Sequence, residues 1–423
     1  MNVVAKSRRQ FLKGSAASAG ALVVGFNVPF IGRADALSLA VPPVPMPEIN
    51  AWVVVKPDDT VLIRIARSEM GQGTLTGLSQ LVAEELECDW AKVTTEYPTP
   101  GQSVARNRPW GSFGTGGSQG IRGSEKYVRV GGATARMMLV QAAADGWKVP
   151  VAECSAANSI ITHGPSKRTT TFGKVAAAAA LLKPPTAVKL KDPKDWKLAG
   201  KRVARLDTVD KTTGKQIYGM DLKLPGMLTA AIKDSPVFGG KVKSVDDAAV
   251  LKRPGVKHVL RVGDSAVAVV ADTWWRAKTA LDALKIEWDE GANAKASSAA
   301  FAEVLRAGLA ATDAVVGNKQ GDAPGAIASA ARKVEAVYSY PHQNHACMEV
   351  MNATARWTPE RCEVWAPTQN GEAALAAASE AAGIPLEKCE MYKIHLGGGF
   401  GRRGATDYIR QAVLIAKQIP GTP

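Results

Sequence analysis

The sequence predicts an α+β protein of two or three domains. With 423 residues, 46% of them hydrophobic, the chain can build several buried cores. Two stretches, 61–86 and 391–417, each pass from a strand pattern through a glycine-rich loop to a helical pattern. Between them, residues 205–290 consist of short strands and turns, which indicates a separate α+β module.

The first 36 residues predict an export signal. Residues 7–13, SRRQFLK, resemble a twin-arginine signal, a mildly apolar run follows at 16–31, and Ala34-Asp35-Ala36 matches an A-x-A cleavage site. The apolar run is short and interrupted by glycine, so a membrane anchor is the weaker interpretation. We therefore expect a periplasmic protein that folds before export, commonly around a cofactor, and that meets a membrane only through its partners.

The charge and the cysteine content of the chain restrict the classes of ligand that it is expected to bind. The net charge is +14, but lysine and arginine are scattered rather than gathered in one patch with aromatic residues. Nucleic-acid binding is therefore disfavoured, and an anionic cofactor or an acidic partner is favoured. The five cysteines include no C-x-x-C pair, so neither an iron–sulfur cluster nor a zinc site is supported. Electrons handled by this chain would have to leave through another subunit.

The N-terminal half contains two glycine loops. Residues 52–66 predict a hairpin, and the loop at 68–73 then precedes a helix whose apolar face includes Leu75, Leu78 and Val82. A further loop at 111–119 precedes a helical stretch around 133–144 and adds hydroxyl and amide donors. With the C-terminal loop, three such loops predict a large anionic ligand held from several sides. Residues 183–200 then read as an inter-domain linker.

The middle module is expected to be structural. Trp274 and Trp275 open its predicted helix at 274–284; they could border a substrate path, but core positions are the favoured interpretation. The strands predicted in this module are 216–220, 227–232, 258–262, 266–270 and 285–288. Alanine-rich sequence at 292–331 predicts helix and linker, followed by a strand at 333–340.

Residues 342–349 contain His342, His345, Cys347 and Glu349, which invites a metal-site interpretation. In an extended segment alternate side chains point to opposite faces, and no helical i, i+4 pair is present. A directly ligated metal is therefore the weaker of the two interpretations, and a structural role the stronger.

The C-terminal glycine loop follows an alternating strand pattern in which Tyr392, Ile394 and Leu396 share one face. Gly397 to Gly399 end the strand, and Thr406 can cap the helix that follows. Gly399, Gly401 and Gly404 also satisfy G-x-G-x-x-G, but a dinucleotide-binding site needs an acidic residue about 20 positions later. The chain supplies none at that distance, so this oxidoreductase alternative is weak.

Six motifs cover nearly the whole chain after the signal. They are Glu69-Met70-Gly71-Gln72-Gly73, Gly116-Gly117-Ser118, Tyr218-Gly219-Met220-Asp221 with Leu224-Pro225-Gly226, Pro341 to Glu349, Thr368-Gln369-Asn370, and Gly397 to Arg403. Their order resembles the molybdenum-binding subunit of the xanthine dehydrogenase and aldehyde oxidase family. The position of Gly-Gln-Gly ahead of the middle module is similar to the isoquinoline 1-oxidoreductase beta subunits and the membrane-associated aldehyde dehydrogenases.

The resemblance implies a molybdopterin-binding domain, built from a permuted N-terminal segment and the start of the main segment, that flanks an α/β-hammerhead-type domain. The implied divisions are 1–36 for the twin-arginine signal peptide, 37–200 for the N-terminal molybdopterin-binding segment and linker, 201–310 for the hammerhead-like domain, and 311–423 for the first part of the main domain.

The resemblance also implies a cofactor, molybdopterin with molybdenum, in the cytosine dinucleotide form. The metal would be held by the pterin and not by protein ligands. Gln369 would hydrogen-bond an oxo ligand, Gln72 would hydrogen-bond the pterin or its phosphate, and Phe400 and Gly401 would lie beside the metal. The implied cofactor-binding residues are Gly71, Gln72, Gly73, Gly117, Ser118, Gly398, Gly399, Phe400, Gly401 and Arg402.

The implied activity is oxidation of an aldehyde or N-heteroaromatic substrate by water-derived hydroxylation. Electrons would pass to a small 2Fe-2S subunit, with a cytochrome c subunit as a further candidate partner. The family's catalytic glutamate lies in a Gly-Glu-Pro-type motif that this chain lacks. We therefore expect roughly the first half of a longer or split subunit, which needs the remaining C-terminal part. The alternative is a truncated chain that binds a cofactor or a partner without turnover.

Overall fold

The computed structural model describes residues 48–423, so the predicted export signal lies outside the described residues. Contacts divide the chain into two units, and residues 45–222 with 226–423 form the unit described below. None of the described helices is long and apolar enough to cross a membrane. The strands are β1 Glu48–Asn50, β2 Val53–Val55, β3 Val61–Arg64, β4 Val93–Glu96, β5 Cys154–Ala157, β6 Ile160–His163, β7 Thr169–Thr171, β8 Thr229–Asp234, β9 Lys241–Asp246, β10 Val256–Val262, β11 Ala266–Ala271, β12 Lys285–Asp289, β13 Thr354–Trp357, β14 Cys362–Ala366 and β15 Cys389–Lys393. The helices are α1 Thr74–Leu86, α2 Pro100–Ala105, α3 Glu125–Trp147, α4 Phe172–Ala179, α5 Thr208–Thr212, α6 Trp274–Asp282, α7 Ser298–Gly308, α8 Ala323–Ser329, α9 Gly371–Ala382 and α10 Asp407–Lys417.

The N-terminal sheet positions the first glycine loop. β1, β2 and β3 are antiparallel neighbours, and β4 pairs parallel with β3, which confirms the hairpin predicted at 52–66. Helices α1 and α3 cross so closely that a Cβ at Gly132 would collide with the carbonyl oxygen of Val82. Leu78 and Leu139 pack with strand residue Ile63 in the same core, so the start of α1 is held firmly beside the end of β3. A small antiparallel sheet, β5-β6-β7, follows.

The middle module contains two small sheets. One has the order β10-β11-β8, the other pairs β9 with β12, and all pairings are antiparallel. Four predicted strands and the helix are present with shifted ends, and β9 was missed. The strand predicted at 216–220 is wrong, because this stretch forms a 3-10 helix at Gly219–Asp221 and only a single bridge from Tyr218 to His395.

The core interpretation of Trp274 and Trp275 is also wrong. The two side chains are 54% and 70% exposed. They occupy the first turn of α6, whereas the face of this helix that packs on the sheet consists of Ala277, Ala280 and Leu281.

The C-terminal segment builds the third loop as predicted, from a strand through glycine to a helix. β14 is antiparallel to β13 and parallel to β15, with α9 as the crossover between them. The buried residues of β15 are Cys389, Met391 and Lys393, on the face opposite to Tyr392. Met391 packs against α9 and α10, while Tyr392 on the other face stacks on Trp365 at 5.1 Å. Both faces of β15 are covered by other residues. The alternation of residue types along the strand therefore could not show which face buries Lys393.

Residues 291–346 are exposed at every position except Gly325. Helices α7 and α8 confirm the helical part of the alanine-rich prediction. The strand predicted at 333–340 is wrong, because no other strand in the described part of the chain pairs with it. Its apolar side chains are consequently unburied: Val334, Val337, Tyr338 and Tyr340 are 77–85% exposed.

Candidate functional site

A cavity of about 620 Å³ lies where the segment after β3, the 111–123 loop, the turn before α9 and the 397–404 loop meet. Its wall consists of glycines, hydroxyl and amide side chains and one guanidinium group. The lining residues are Arg67, Ser112, Gly114, Thr115, Gly116, Gln119, Gly123, Gln369, Asn370, Gly401 and Gly404. None of the described residues that line this cavity is a carboxylate, so the wall is suited to an anionic ligand rich in hydrogen-bond acceptors.

Gln369, a predicted site residue, joins two of the glycine loops. Its side-chain Nε2 donates to the carbonyl of Thr115 at 2.9 Å, and its Oε1 accepts from the N–H of Gly401 at 3.0 Å. Its backbone N–H donates to the carbonyl of Arg403 at 3.0 Å, and its carbonyl accepts from the N–H of Thr115 at 2.7 Å. The side chain is almost fully buried, so this junction between the loops is rigid.

The 397–404 loop has a backbone that glycine makes possible. Gly398 and Gly401 have φ of +104° and +90°, and a Cβ at Gly399 would lie 2.8 Å from Oε1 of Gln369. Phe400 has φ of +50° and is 69% exposed. A bulky residue in the left-handed region costs about 1–3 kcal/mol, and such strain concentrates at functional sites.

Glu349 and Arg403 form a buried ion pair that anchors this loop at 3.1 Å. Glu349 Oε2 also accepts from the N–H of Gly397, and its Oε1 accepts from the N–H of Gly219 and from Asn352. Sequence reasoning placed Glu349 in a possible metal cluster and did not foresee this pairing. Arg402, predicted to bind the cofactor, pairs with Asp407 at 2.6 Å.

Glu69 organises the loop at 68–75. Its fully buried carboxylate accepts from the N–H groups of Gly71 at 2.8 Å, Gly73 at 3.0 Å and Leu75 at 3.0 Å. Gln72 is also engaged inside the loop, because Nε2 donates to the carbonyl of Ser68 and Oε1 accepts from the N–H of Met70. The contact of Gly71, Gln72 and Gly73 with a ligand therefore stays a prediction.

Gly117 and Ser118 are exposed residues that follow Gly116 on the cavity wall. Both have left-handed φ, at +55° and +56°. Of the predicted cofactor-binding and catalytic residues, Gln369 and Gly401 line the cavity directly.

Two buried cations, Arg67 on this wall and Lys393 behind it, were missed by sequence reasoning. Arg67 donates from Nε to Oγ of Ser124 at 2.9 Å and from Nη1 to the carbonyl of Gly114. Lys393 donates to the carbonyl of Ala66, and its Nζ lies 4.6 Å from the centre of the Tyr97 ring. Burial, together with the nearby charge of Arg67, lowers the pKa of Lys393 to about 7.

Comparison with known proteins accounts for this arrangement. Two family models, each described as a molybdopterin cofactor-binding domain, match residues 7–218 and 310–421. The isoquinoline 1-oxidoreductase subunit beta of Brevundimonas diminuta is 30% identical over 417 residues, which cover 88% of this chain and 53% of that protein. The chain is a molybdopterin-binding subunit of the xanthine dehydrogenase family. The resemblance drawn from the six motifs is thereby confirmed.

A second curated relative and one solved structure are also similar to the chain. The membrane-bound aldehyde dehydrogenase of Gluconacetobacter polyoxogenes is 31% identical over 397 residues, covering 89% of this chain and 49% of that protein. The crystal structure of quinoline 2-oxidoreductase from Pseudomonas putida 86 is 23% identical with a TM-score of 0.42, covering 52% of this chain and 33% of that one. The subunit spans about half the length of the two curated relatives.

The residues of the cavity fit a molybdopterin. Backbone and side-chain donors converge on a space without carboxylates, and the glycine loop at 397–404 leaves room for a close approach. When bound, molybdopterin would supply a redox-active metal held by its own sulfur atoms. Among residues 48–423, no group of three or more His, Cys, Asp or Glu side chains could hold a metal directly.

The pKa of Lys393 makes the stability of the cofactor-free subunit depend on pH. The unfolded chain binds this proton up to about pH 10.5, whereas the folded chain releases it near pH 7, so stability rises with pH between these values. Of the neighbouring groups, Tyr97 stays neutral because burial raises its pKa, and His395 is already neutral because burial lowers its pKa to about 4. From pH 7 to pH 9 in chloride buffer we expect a gain of about 2 kcal/mol that Lys393→Met lacks. Urea unfolding at both pH values measures it; parallel changes in the two proteins would contradict this assignment.

Proposed function

We propose that this subunit holds the molybdenum cofactor of a hydroxylase that oxidises an aldehyde or an N-heteroaromatic compound with oxygen from water. The observation that supports it most is the carboxylate-free cavity between Gln369 and Gly401, in a chain whose relatives are named as isoquinoline and aldehyde oxidoreductases. Electrons leave through a small 2Fe-2S subunit, with a cytochrome c subunit as a further candidate partner. The cofactor has the cytosine dinucleotide form.

Each wall of the cavity has a distinct task. Gln369 retains a second amide hydrogen on Nε2, which would be available to an oxygen acceptor of the bound cofactor, while its other hydrogen bonds keep the amide in a fixed orientation. Gly401, with open space beside it on the cavity wall, would let the backbone approach the cofactor, whereas Gly399 lets the loop pack against Gln369. Glu69 does not act as the catalytic base, because it is buried and accepts three backbone hydrogen bonds.

The base is supplied by polypeptide beyond the described residues. We place it in the remaining C-terminal part of the subunit, on the same chain or on a separate one. The exposed apolar side chains at 333–340 support this idea, because a segment with unpaired backbone groups and unburied Tyr338 and Tyr340 could become a strand by adding to another sheet. The middle module is then the hammerhead-type domain between the two parts of the cofactor-binding domain. A truncated chain that binds cofactor without turnover remains the second candidate, since no carboxylate lines the cavity among the described residues.

A glycine substitution tests the cofactor site. Gly401→Val directs a side chain into open space in the cavity and strains a backbone with φ of +90°. We expect molybdenum content to fall at least about tenfold in the variant, because the cavity is filled. Elemental analysis of molybdenum and fluorescence of the oxidised pterin measure it in the completed enzyme.

Gly421→Val is the matched control, because Gly421 has φ of +80° and equally open surroundings but does not line the cavity. His345→Ala should also retain molybdenum, since His345 lies in the exposed 291–346 segment. Full molybdenum in folded Gly401→Val protein, or selective loss in His345→Ala, would overturn this placement of the site.

The docking role of the exposed 333–340 segment can be tested by introducing negative charge. Tyr338→Asp with Tyr340→Asp should weaken the association with a polypeptide that matches the C-terminal half of the relatives by at least about tenfold, because burying two new carboxylates is unfavourable. Affinity purification with quantitative mass spectrometry measures the recovered polypeptide. Phe238→Asp, at a site that is 95% exposed in the middle module, is the control. Equal recovery of the polypeptide with both variants would exclude 333–340 as the docking segment.

Export by the twin-arginine route is likewise proposed, from Arg8 and Arg9 in SRRQFLK. Replacing both with lysine should trap the precursor in the cytoplasm, because this route reads the arginine pair. Cell fractionation followed by immunoblotting measures the two pools. An unchanged periplasmic level of mature protein would refute the assignment.

A further inference from the structure

Arg67 and Lys393 are buried cations without a carboxylate partner. They are 7% and 8% exposed, and neither forms an ion pair with any residue from 48 to 423. The other deeply buried arginines are paired, Arg129 with Glu85 at 2.8 Å and Arg403 with Glu349 at 3.1 Å. Buried charges are normally neutralised by a counter-ion. Arg129 and Arg403 each have one in the fold, whereas Arg67 and Lys393 have none among the described residues.

The geometry of Arg67 shows where the counter-ion would sit. Its Nε and Nη1 are held by Ser124 and Gly114, which fix the plane of the guanidinium on the cavity wall. Nη2 donates to no protein group among the described residues. It is nevertheless not a fully buried atom, so it retains some contact with the solvent space. Its N–H groups are therefore accessible from the cavity.

Hydroxyl groups next to Arg67 complete a donor set. Ser112 Oγ accepts from the N–H of Gly114, and Thr115 Oγ1 accepts from the N–H of Ser68. Each hydroxyl hydrogen thus remains available to a ligand in the cavity, beside the amide of Gln119. A planar guanidinium with several hydroxyl and amide donors is the arrangement that phosphate oxygens prefer.

We infer that Arg67 binds a phosphate group in this cavity and that Lys393 supports it as a second positive charge behind the wall. The inference rests on the proposed function, because the phosphate is that of the pterin cofactor. Lys393 does not line the cavity; it acts through the electrostatic potential and through the carbonyl of Ala66, next to Arg67 in the chain. It is a positioning residue, and Arg67 is the binding residue.

The first measurement uses the cofactor-free subunit and inorganic phosphate as the probe. Isothermal titration against phosphate, with chloride of equal ionic strength as the reference, should give binding that weakens at least about tenfold in Arg67→Gln. Lys393→Met should weaken phosphate binding less than Arg67→Gln does. In the wild type, added phosphate should reduce the rise in the free energy of unfolding between pH 7 and pH 9 that depends on Lys393. Arg108→Gln, which removes an exposed charge away from the cavity wall, should bind phosphate as the wild type does.

The second measurement is pterin and molybdenum content after maturation in cells, with folded protein quantified by circular dichroism. Loss of cofactor in folded Arg67→Gln, together with its loss of phosphate binding, is the expected result. Arg67→Lys should recover part of both, which a merely structural defect would not allow.

Other outcomes distinguish a failure of the inference about Arg67 from a failure of the proposed function. Phosphate binding that depends on Arg67, with full cofactor content in Arg67→Gln, would overturn the cofactor as the source and leave free phosphate as the ligand. Phosphate binding and cofactor content unchanged by Arg67→Gln would overturn the inference but not the proposed function. A wild-type enzyme that holds no molybdopterin would overturn the proposed function, whatever phosphate does.

Discussion

The cavity depends on one residue, because both the side chain and the backbone of Gln369 tie the 111–123 loop to the 397–404 loop. Its four hydrogen bonds to Thr115, Gly401 and Arg403 connect segments that are about 250 and 30 residues away in the chain. Glycine-rich loops have little intrinsic preference for one conformation, and fixing them is entropically unfavourable. A buried amide that donates and accepts at the same time can hold two such loops with little freedom. The same atoms then face the cavity with a defined orientation, as binding and catalysis require.

Buried carboxylates are used to shape loops and not to line the site. Glu69 takes up backbone N–H groups at the start of α1, and Glu349 does so for Gly397 and Gly219. Glu84 does the same for the linker, where it accepts from the N–H groups of residues 197, 198 and 199. Each of these glutamates also has a cationic partner, which offsets the unfavourable burial of its charge. The cavity wall is thereby left with donors and positive charge, a consistent setting for an anionic cofactor.

The 291–346 segment is exposed at every position except Gly325. An apolar, alternating strand sequence without a neighbour is unfavourable in water, since its backbone groups and side chains both remain unpaired. The middle module and the two cofactor-binding parts have their own cores, and residues 291–346 belong to none of them. The described residues therefore offer the apolar side chains of this segment no burial that would stabilise it.

The sequence alone determined the three glycine loops, the strands and helices that flank two of them, and the family, because these depend on local patterns: the period of strands and helices, and glycine at turns that other residues cannot form. It also singled out Gln369 and Gly401, which line the cavity. Only the tertiary structure decided which face of β15 is buried, and so that Lys393 lies inside beside Arg67. It likewise decided that Glu349 pairs with Arg403, that Trp274 and Trp275 are exposed, and that 333–340 pairs with no strand from residue 48 to residue 423. These features arise from contacts between residues far apart in the chain, and no local periodicity records which distant group will neutralise a charge or cover a face.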